Sequence, residues 1–199
     1  SNWNVGIGHS VMTGAMNDAD HNTAVGNESL KALTTGDRNT VVGSQSGIAL
    51  TSGGYNTIIG GAAGKVTTDV DNAVMLGYGA CADGNVTSAA DGTVAIGYDS
   101  LKNLTSGAGN IAIGYQAGQS ITDGKYNTAV GYKSMANAMN VGDSNSALGY
   151  QALYSLDPDT NDHGKNTAMG SNAGYNTTTG TENTYIGESA GFYNATGDG

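Results

Sequence analysis

The sequence predicts an all-β protein, a parallel β-roll (a β-solenoid) of about eleven coils, and two observations lead there. First, a phrase close to Asn-Thr-Ala-Val-Gly-Tyr recurs eleven times, with its glycine at Gly8, Gly26, Gly43, Gly60, Gly77, Gly97, Gly114, Gly131, Gly149, Gly170 and Gly187. The ten intervals are 18, 17, 17, 17, 20, 17, 17, 18, 21 and 17 residues, and a near-constant period of about 17 builds a solenoid with one coil per repeat. Second, apolar and small residues alternate just before each glycine, which is the two-residue period of a strand. The whole chain, residues 1–199, reads as one repeat domain.

Composition alone points elsewhere. Leu, Ile, Val and Phe sum to 31 of 199 residues and the formal charge is −10, a balance that leans toward disorder. The repeat overrules it, because the apolar residues fall at recurrent positions and each coil buries its inner face against two neighbours. A pI near 4.3 with only seven basic residues argues against a nucleic-acid partner, whose phosphates demand clustered Lys and Arg. No run approaches the apolar length that spans a bilayer, so no membrane insertion is expected. Cys81 is the only cysteine, which excludes an internal disulfide framework, and its register marks it as a small core residue.

Taking each repeat glycine as position 0, position −1 is apolar in every coil, from Ile7 and Val25 to Met169 and Ile186. Position −3 is usually Thr, Val or Ile, so −1 and −3 face one way from a short strand. Position −2, mostly Ala, faces the other way, and its small apolar character suggests a second covered face. Asparagine opens most strands, and Asn22, Asn39, Asn56, Asn110, Asn127, Asn145, Asn166 and Asn183 are expected to form an amide ladder along the rod. A second corner, with glycine at Gly36, Gly53, Gly107, Gly124, Gly180 and Gly197, follows ten residues after the repeat glycine. Two corners imply two straight sides. On the second side, large residues at +4 (Leu30, Leu101, Leu153) allow a helical turn or kinked strand, whereas Gly47, Gly64, Gly118, Gly174 and Gly191 favour a strand. At about 4.8 Å per coil the array is roughly 50 Å long.

Gly92-Thr93-Val94-Ala95-Ile96-Gly97-Tyr98-Asp99-Ser100 resembles the head repeat of YadA-like trimeric autotransporter adhesins, and Asn72-Ala73-Val74-Met75-Leu76-Gly77 keeps the same spacing. The shorter coils, such as Asn127-Thr128-Ala129-Val130-Gly131-Tyr132, resemble repeats of bacteriophage tail fibres. The resemblance covers nearly the whole chain. It implies a left-handed roll, a homotrimer about a common axis, and an extracellular place on a virion or bacterial surface. The small residues at −2 and +3 fit a covered outer face of that kind. Neither end of the array reads as a polar capping coil, so a segment of a longer fibre is expected, with end-to-end contacts to further segments.

Among candidate binding residues, Tyr78, Tyr98, Tyr115, Tyr132 and Tyr150 hold position +1 in five successive coils. Structural stacking or trimer packing is the first expectation for this column, and a stripe for the sugars of a cell-surface glycan the second. Both long intervals enlarge one corner, giving the loops 83–92 and 157–164, where a glycan or protein receptor could be recognised. The second loop opens like a calcium loop, Asp157-x-Asp159-x-Asn161, but Asp162 stands where that pattern has glycine and Ala168 where it has glutamate. Solvated acidic corners are the expected state of Asp157, Asp159, Asn161 and Asp162, with bound calcium the alternative; no other cofactor is implied. His9, His21 and His163 fall in different registers, without the spacing of a zinc site or of paired catalytic acids, so no enzyme activity is expected. The reading of function is a non-enzymatic fibre segment, adhesive or structural. A filament assembling end to end and a polysaccharide-processing fibre are the alternatives.

Overall fold

The structure, a computed structural model, describes residues 3–138, 142–157 and 164–198. Among these residues eleven three-residue strands lie in chain order: β1 Val5–Ile7, β2 Thr23–Val25, β3 Thr40–Val42, β4 Thr57–Ile59, β5 Val74–Leu76, β6 Val94–Ile96, β7 Ile111–Ile113, β8 Thr128–Val130, β9 Ser146–Leu148, β10 Thr167–Met169 and β11 Thr184–Ile186. They form a single parallel sheet in the order β1 to β11. The register follows the repeat, as in Thr40↔Thr57, Val41↔Ile58 and Val42↔Ile59, so equal positions stack into columns. The insertion between β5 and β6 lengthens the loop without moving that register, because Val74, Met75 and Leu76 still oppose Val94, Ala95 and Ile96. The protein is a β-solenoid with a period of about 17 residues.

The strands turn their faces opposite to the simplest reading of the sequence. Position −2 points inward: Ala24, Val41, Ile58, Met75, Ala95, Ala112 and Ala129 are wholly buried. Positions −1 and −3 point outward, leaving Ile59, Ile113, Leu148 and Met169 exposed. The small residues at −2 and +3 are thus covered by the chain's own interior, and they no longer speak for a covered outer face. The reason lies in parity. Asn at −4 must bury its amide in the coil to join a ladder, and alternation then places −2 inside with it and −3 and −1 outside.

The second side is a repeated turn, neither strand nor helix. Residues at +2 and +4 adopt left-handed backbone whatever their size, as at Gln45 (φ 57), Gly47 (φ 54), Asp99 (φ 51) and Leu101 (φ 46). A non-glycine residue there costs roughly 1–2 kcal/mol. In return its amide faces along the rod, and Leu101 N–H donates to Ala117 O (3.0 Å) as Gly64 N–H does to Ala80 O (2.8 Å). Among the described residues the one 3₁₀ turn, Ser88–Ala90, lies within the first insertion. At position 0 glycine is compulsory. A Cβ on Gly43 or Gly60 would strike the carbonyl oxygen of the next coil's glycine, and both sit near φ 140.

Candidate functional site

The outer face of the sheet is built from two side chains of each strand, at −3 and −1. None of these twenty-two positions is charged, in a chain that carries seven basic and seventeen acidic residues. The −1 column is aliphatic throughout apart from Met169. The −3 column is aliphatic in β1 and β5–β7 (Val5, Val74, Val94, Ile111) and hydroxylated in β2–β4 and β8–β11. Ile113 is 37% and Leu148 46% exposed, so the strip lies open in the single chain. The −1 column is thus a continuous, partly exposed apolar strip, a feature that in soluble proteins is uncommon outside binding surfaces.

Just beyond the −1 column, after the repeat glycine, stands the tyrosine column. The rings of Tyr78, Tyr98, Tyr115, Tyr132 and Tyr150 stack in sequence at centroid spacings of 5.7, 5.2, 5.2 and 5.4 Å, nearly parallel. All five remain exposed, between 42 and 60%. Each ring turns its face to its neighbour, so ring edges and hydroxyls are what solvent meets along most of the stripe. Lys133 extends its ammonium over Tyr132 at 5.6 Å. A second stack, Tyr154, Tyr175 and Phe192, was not singled out from the sequence, although all three share position +5; their spacings are 5.0 and 5.1 Å.

The asparagine ladder runs inside the sheet's leading edge, in two lengths. In one, Asn39 donates its backbone N–H (2.9 Å) and Nδ2 (3.0 Å) to Asn22 Oδ1, and Asn56 does the same to Asn39. In the other, Asn127, Asn145, Asn166 and Asn183 each donate a backbone N–H to the Oδ1 of the asparagine before, starting at Asn110. Several Nδ2 groups also reach across the coil, as Asn39 does to Gly53 O (2.9 Å), pinning strand to opposite corner. Ala73 and Thr93 interrupt the series between Asn56 and Asn110. Ala73 N–H still donates to Asn56 Oδ1, while Thr93 turns its hydroxyl to Ala90 O.

The corner before the asparagine carries a second feature that the sequence reading passed over. Position −5 is occupied by Trp3, His21, Arg38 and Tyr55 in the first four coils, and all four are exposed. The Trp3 and His21 rings lie 6.5 Å apart, and the Arg38 guanidinium sits over the Tyr55 ring at 5.3 Å and donates to its hydroxyl (2.8 Å). Its periodic register was the available signal.

The acidic corners act as backbone caps. Asp20 Oδ1 accepts the Trp3 N–H, Asp37 Oδ1 the Asp20 N–H, and Asp71 Oδ1 the Gly54 N–H. The Trp3 hydrogen bond, the largest influence, holds the Asp20 carboxyl below its ordinary range. In the first insertion Val86 and Ala90 are buried, and Asp69 Oδ1 accepts the Ser88 N–H, so much of that loop is packed structure. Of the calcium-like set, Asp157 donates its N–H to Thr178 O (3.0 Å), whereas Asp159, Asn161 and Asp162 lie outside the described residues. Among the described residues no three of His, Cys, Asp and Glu gather into a group that could hold a metal ion. No helix among them is long and apolar enough to cross a membrane.

No family model matches the chain, and no curated protein or solved structure matches it either.

Proposed function

We propose that the chain is a non-enzymatic segment of an extracellular fibre, of the kind carried by a phage tail or a bacterial surface adhesin, in which three copies pack through the uncharged sheet face. The observation that carries this reading is that face. It keeps one apolar column through eleven coils and bears no charge, while the remaining surface is acidic. Packing against copies in the same register would remove the column from water along the whole rod, and about 25 cal/mol per Å² of apolar area favours it. The resemblance to YadA-like head repeats supports three copies and a surface location. A stiff trimeric rod holds recognition surfaces away from the particle and turns weak contacts into avid ones.

Light scattering on the purified chain tests this. Three chains of 19.9 kDa give a particle near 60 kDa, and Ile113→Lys in the centre of the face should return it to one chain. A single-chain particle for the unaltered protein would overturn the reading.

A further inference from the structure

The chain's only tryptophan and only arginine stand in the same column, two coils apart, with His21 between them and Tyr55 after. Tryptophan, tyrosine and arginine are the residue types that dominate binding hot spots. Here they fill four successive positions of one exposed corner, a strip about 14 Å long at the spacing of parallel strands. Nothing in the fold asks for them there. The equivalent positions in later coils are Asn72, Gly92, Gly109, Ser144, Lys165 and Glu182, apart from Tyr126.

The corner is also poorly suited to large residues. His21, Arg38 and Tyr55 have φ of 59, 55 and 60°, a left-handed conformation in which asparagine or glycine is cheapest. Yet Tyr55 is 57% exposed, and His21 and Arg38 are exposed as well, so burial returns little for that cost. The backbone beneath them is fixed, since Arg38 N–H donates to Asp20 O (3.0 Å) and Tyr55 N–H to Asp37 O (2.8 Å). A rigid row of planar side chains facing water is a preorganised surface.

The charges narrow what it would bind. Among the described residues no carboxylate lies within ion-pair distance of Arg38, whose guanidinium donates to the Tyr55 hydroxyl. The nearby carboxylates are already engaged. Asp20 pairs with His21 (3.3 Å) and accepts two backbone N–H groups, and Asp37 Oδ1 accepts the Asp20 N–H. An unpaired guanidinium calls for a carboxylate, which it can take bidentately. The indole and phenol rings beside it, each with one face turned to its neighbour in the row, suit sugar rings on their remaining faces and edges. A net charge of −10 opposes dense polyanions, which favours a glycan with isolated carboxylates.

We infer that the Trp3–His21–Arg38–Tyr55 edge binds a carboxylate-bearing saccharide, with Arg38 taking the carboxylate and Trp3 and Tyr55 taking sugar faces. The inference rests on the fibre reading only for its setting, a glycan-coated surface, and it names a recognition site distinct from the sheet face.

Trp3, being the sole tryptophan, reports on the site by its own fluorescence. Hyaluronan hexasaccharide, with one carboxylate per disaccharide, should shift that emission saturably, and the neutral chitin hexamer should bind at least about tenfold more weakly, given the value of a hydrogen bond to a charged group. Arg38→Gln should weaken hyaluronan binding by about tenfold or more, with Arg38→Lys recovering part of it. Trp3→Ala, followed by calorimetry, should weaken it too. All these positions are exposed, and an unchanged circular dichroism spectrum confirms the fold of each variant. No saturable shift at millimolar sugar, equal binding of the neutral hexamer, or full affinity in Arg38→Gln would each overturn the inference. Light scattering on the same samples keeps the two readings apart: a monomer that binds sinks only the fibre, and a trimer that does not bind sinks only the site.

Discussion

The coils of β3 and β4 and those of β6, β8 and β9 fill the same interior in opposite ways. In the first pair a large residue comes from the strand, Val41 or Ile58, and glycine stands at +4, Gly47 or Gly64. In the second group the strand gives Ala95, Ala129 or Ala147, and the turn gives Leu101, Met135 or Leu153. A Cβ on Gly64 would come within 3.0 Å of Met75 Sδ and 3.4 Å of Ile58 Cδ1, so the strand side chains already occupy the space that leucine takes elsewhere. The backbone does not distinguish the two arrangements: φ is 56° at Gly64 and 46° at Leu101. In these coils the repeat fixes a backbone and leaves open which side fills the space; the coil of β7, with Ala112 and Gly118, is filled by Leu101 and Ile121 instead.

That exchange can be broken and restored. Ile58→Ala should cost about 2–5 kcal/mol, because Gly64 opposite cannot fill the cavity. Gly64→Leu alone should overpack the coil and cost roughly 1–3 kcal/mol. The double variant converts β4 to the arrangement of β6, and it should recover part of the loss, with a coupling of roughly 0.5–3 kcal/mol. Denaturant midpoints of the four proteins decide it. Strictly additive losses would show that the two regions are not exchanging one volume.

The amide ladder divides the coils differently, and its loss should cost less. Asn39→Ala leaves the Asn56 N–H and Gly53 O without their partners in a wholly buried place, a loss of about 1–3 kcal/mol for such groups. Thr93 stands in the gap between the two runs and makes one hydrogen bond to Ala90 O, so Thr93→Ala should cost only about 1 kcal/mol. Equal losses at the two sites, read from thermal unfolding, would deny the ladder any role beyond local pairing.

The fold was legible because the period is: eleven glycines in register dictated eleven coils, and the asparagines announced their ladder. Which face of the strand turned inward was not legible from hydrophobicity. Ile and Val at −1 are the most apolar residues of the strand and yet lie outside, while Ala at −2 lies inside, where the turn already fills much of the coil with pairs such as Leu101 and Leu104 or Leu153 and Leu156. The parity of Asn39 with Val41, or Asn56 with Ile58, held the answer. The second side escaped for another reason. Pattern reading assumes that leucine avoids left-handed backbone, yet Leu30, Leu101 and Leu153 all adopt it, with φ of 46 to 48°. The tyrosine column was visible in the sequence because one residue type repeats. The Trp3, His21, Arg38 and Tyr55 column was overlooked because four residue types share one register.

Cys81 offers the gentlest test of the two ways of filling the core. It stands at +4 beneath β5, between the glycine of Gly64 and the leucine of Leu101, and opposite the long side chain of Met75. Cys81→Ala removes one heavy atom and should cost about 1 kcal/mol, near the value of one buried methylene. Cys81→Leu should cost more, as Gly64→Leu does, because Met75 leaves no room. The native thiol supplies an independent readout. Burial pushes its pKa up to about 12, so at pH 8 almost none is thiolate and none is accessible. Alkylation by iodoacetamide should then proceed only as the coil opens, and Ile58→Ala, one coil away, should speed it if the cavity loosens that stretch of the rod. A thiol that reacts at the rate of a free cysteine in the unaltered protein would place Cys81 outside the core and remove the middle case from the series.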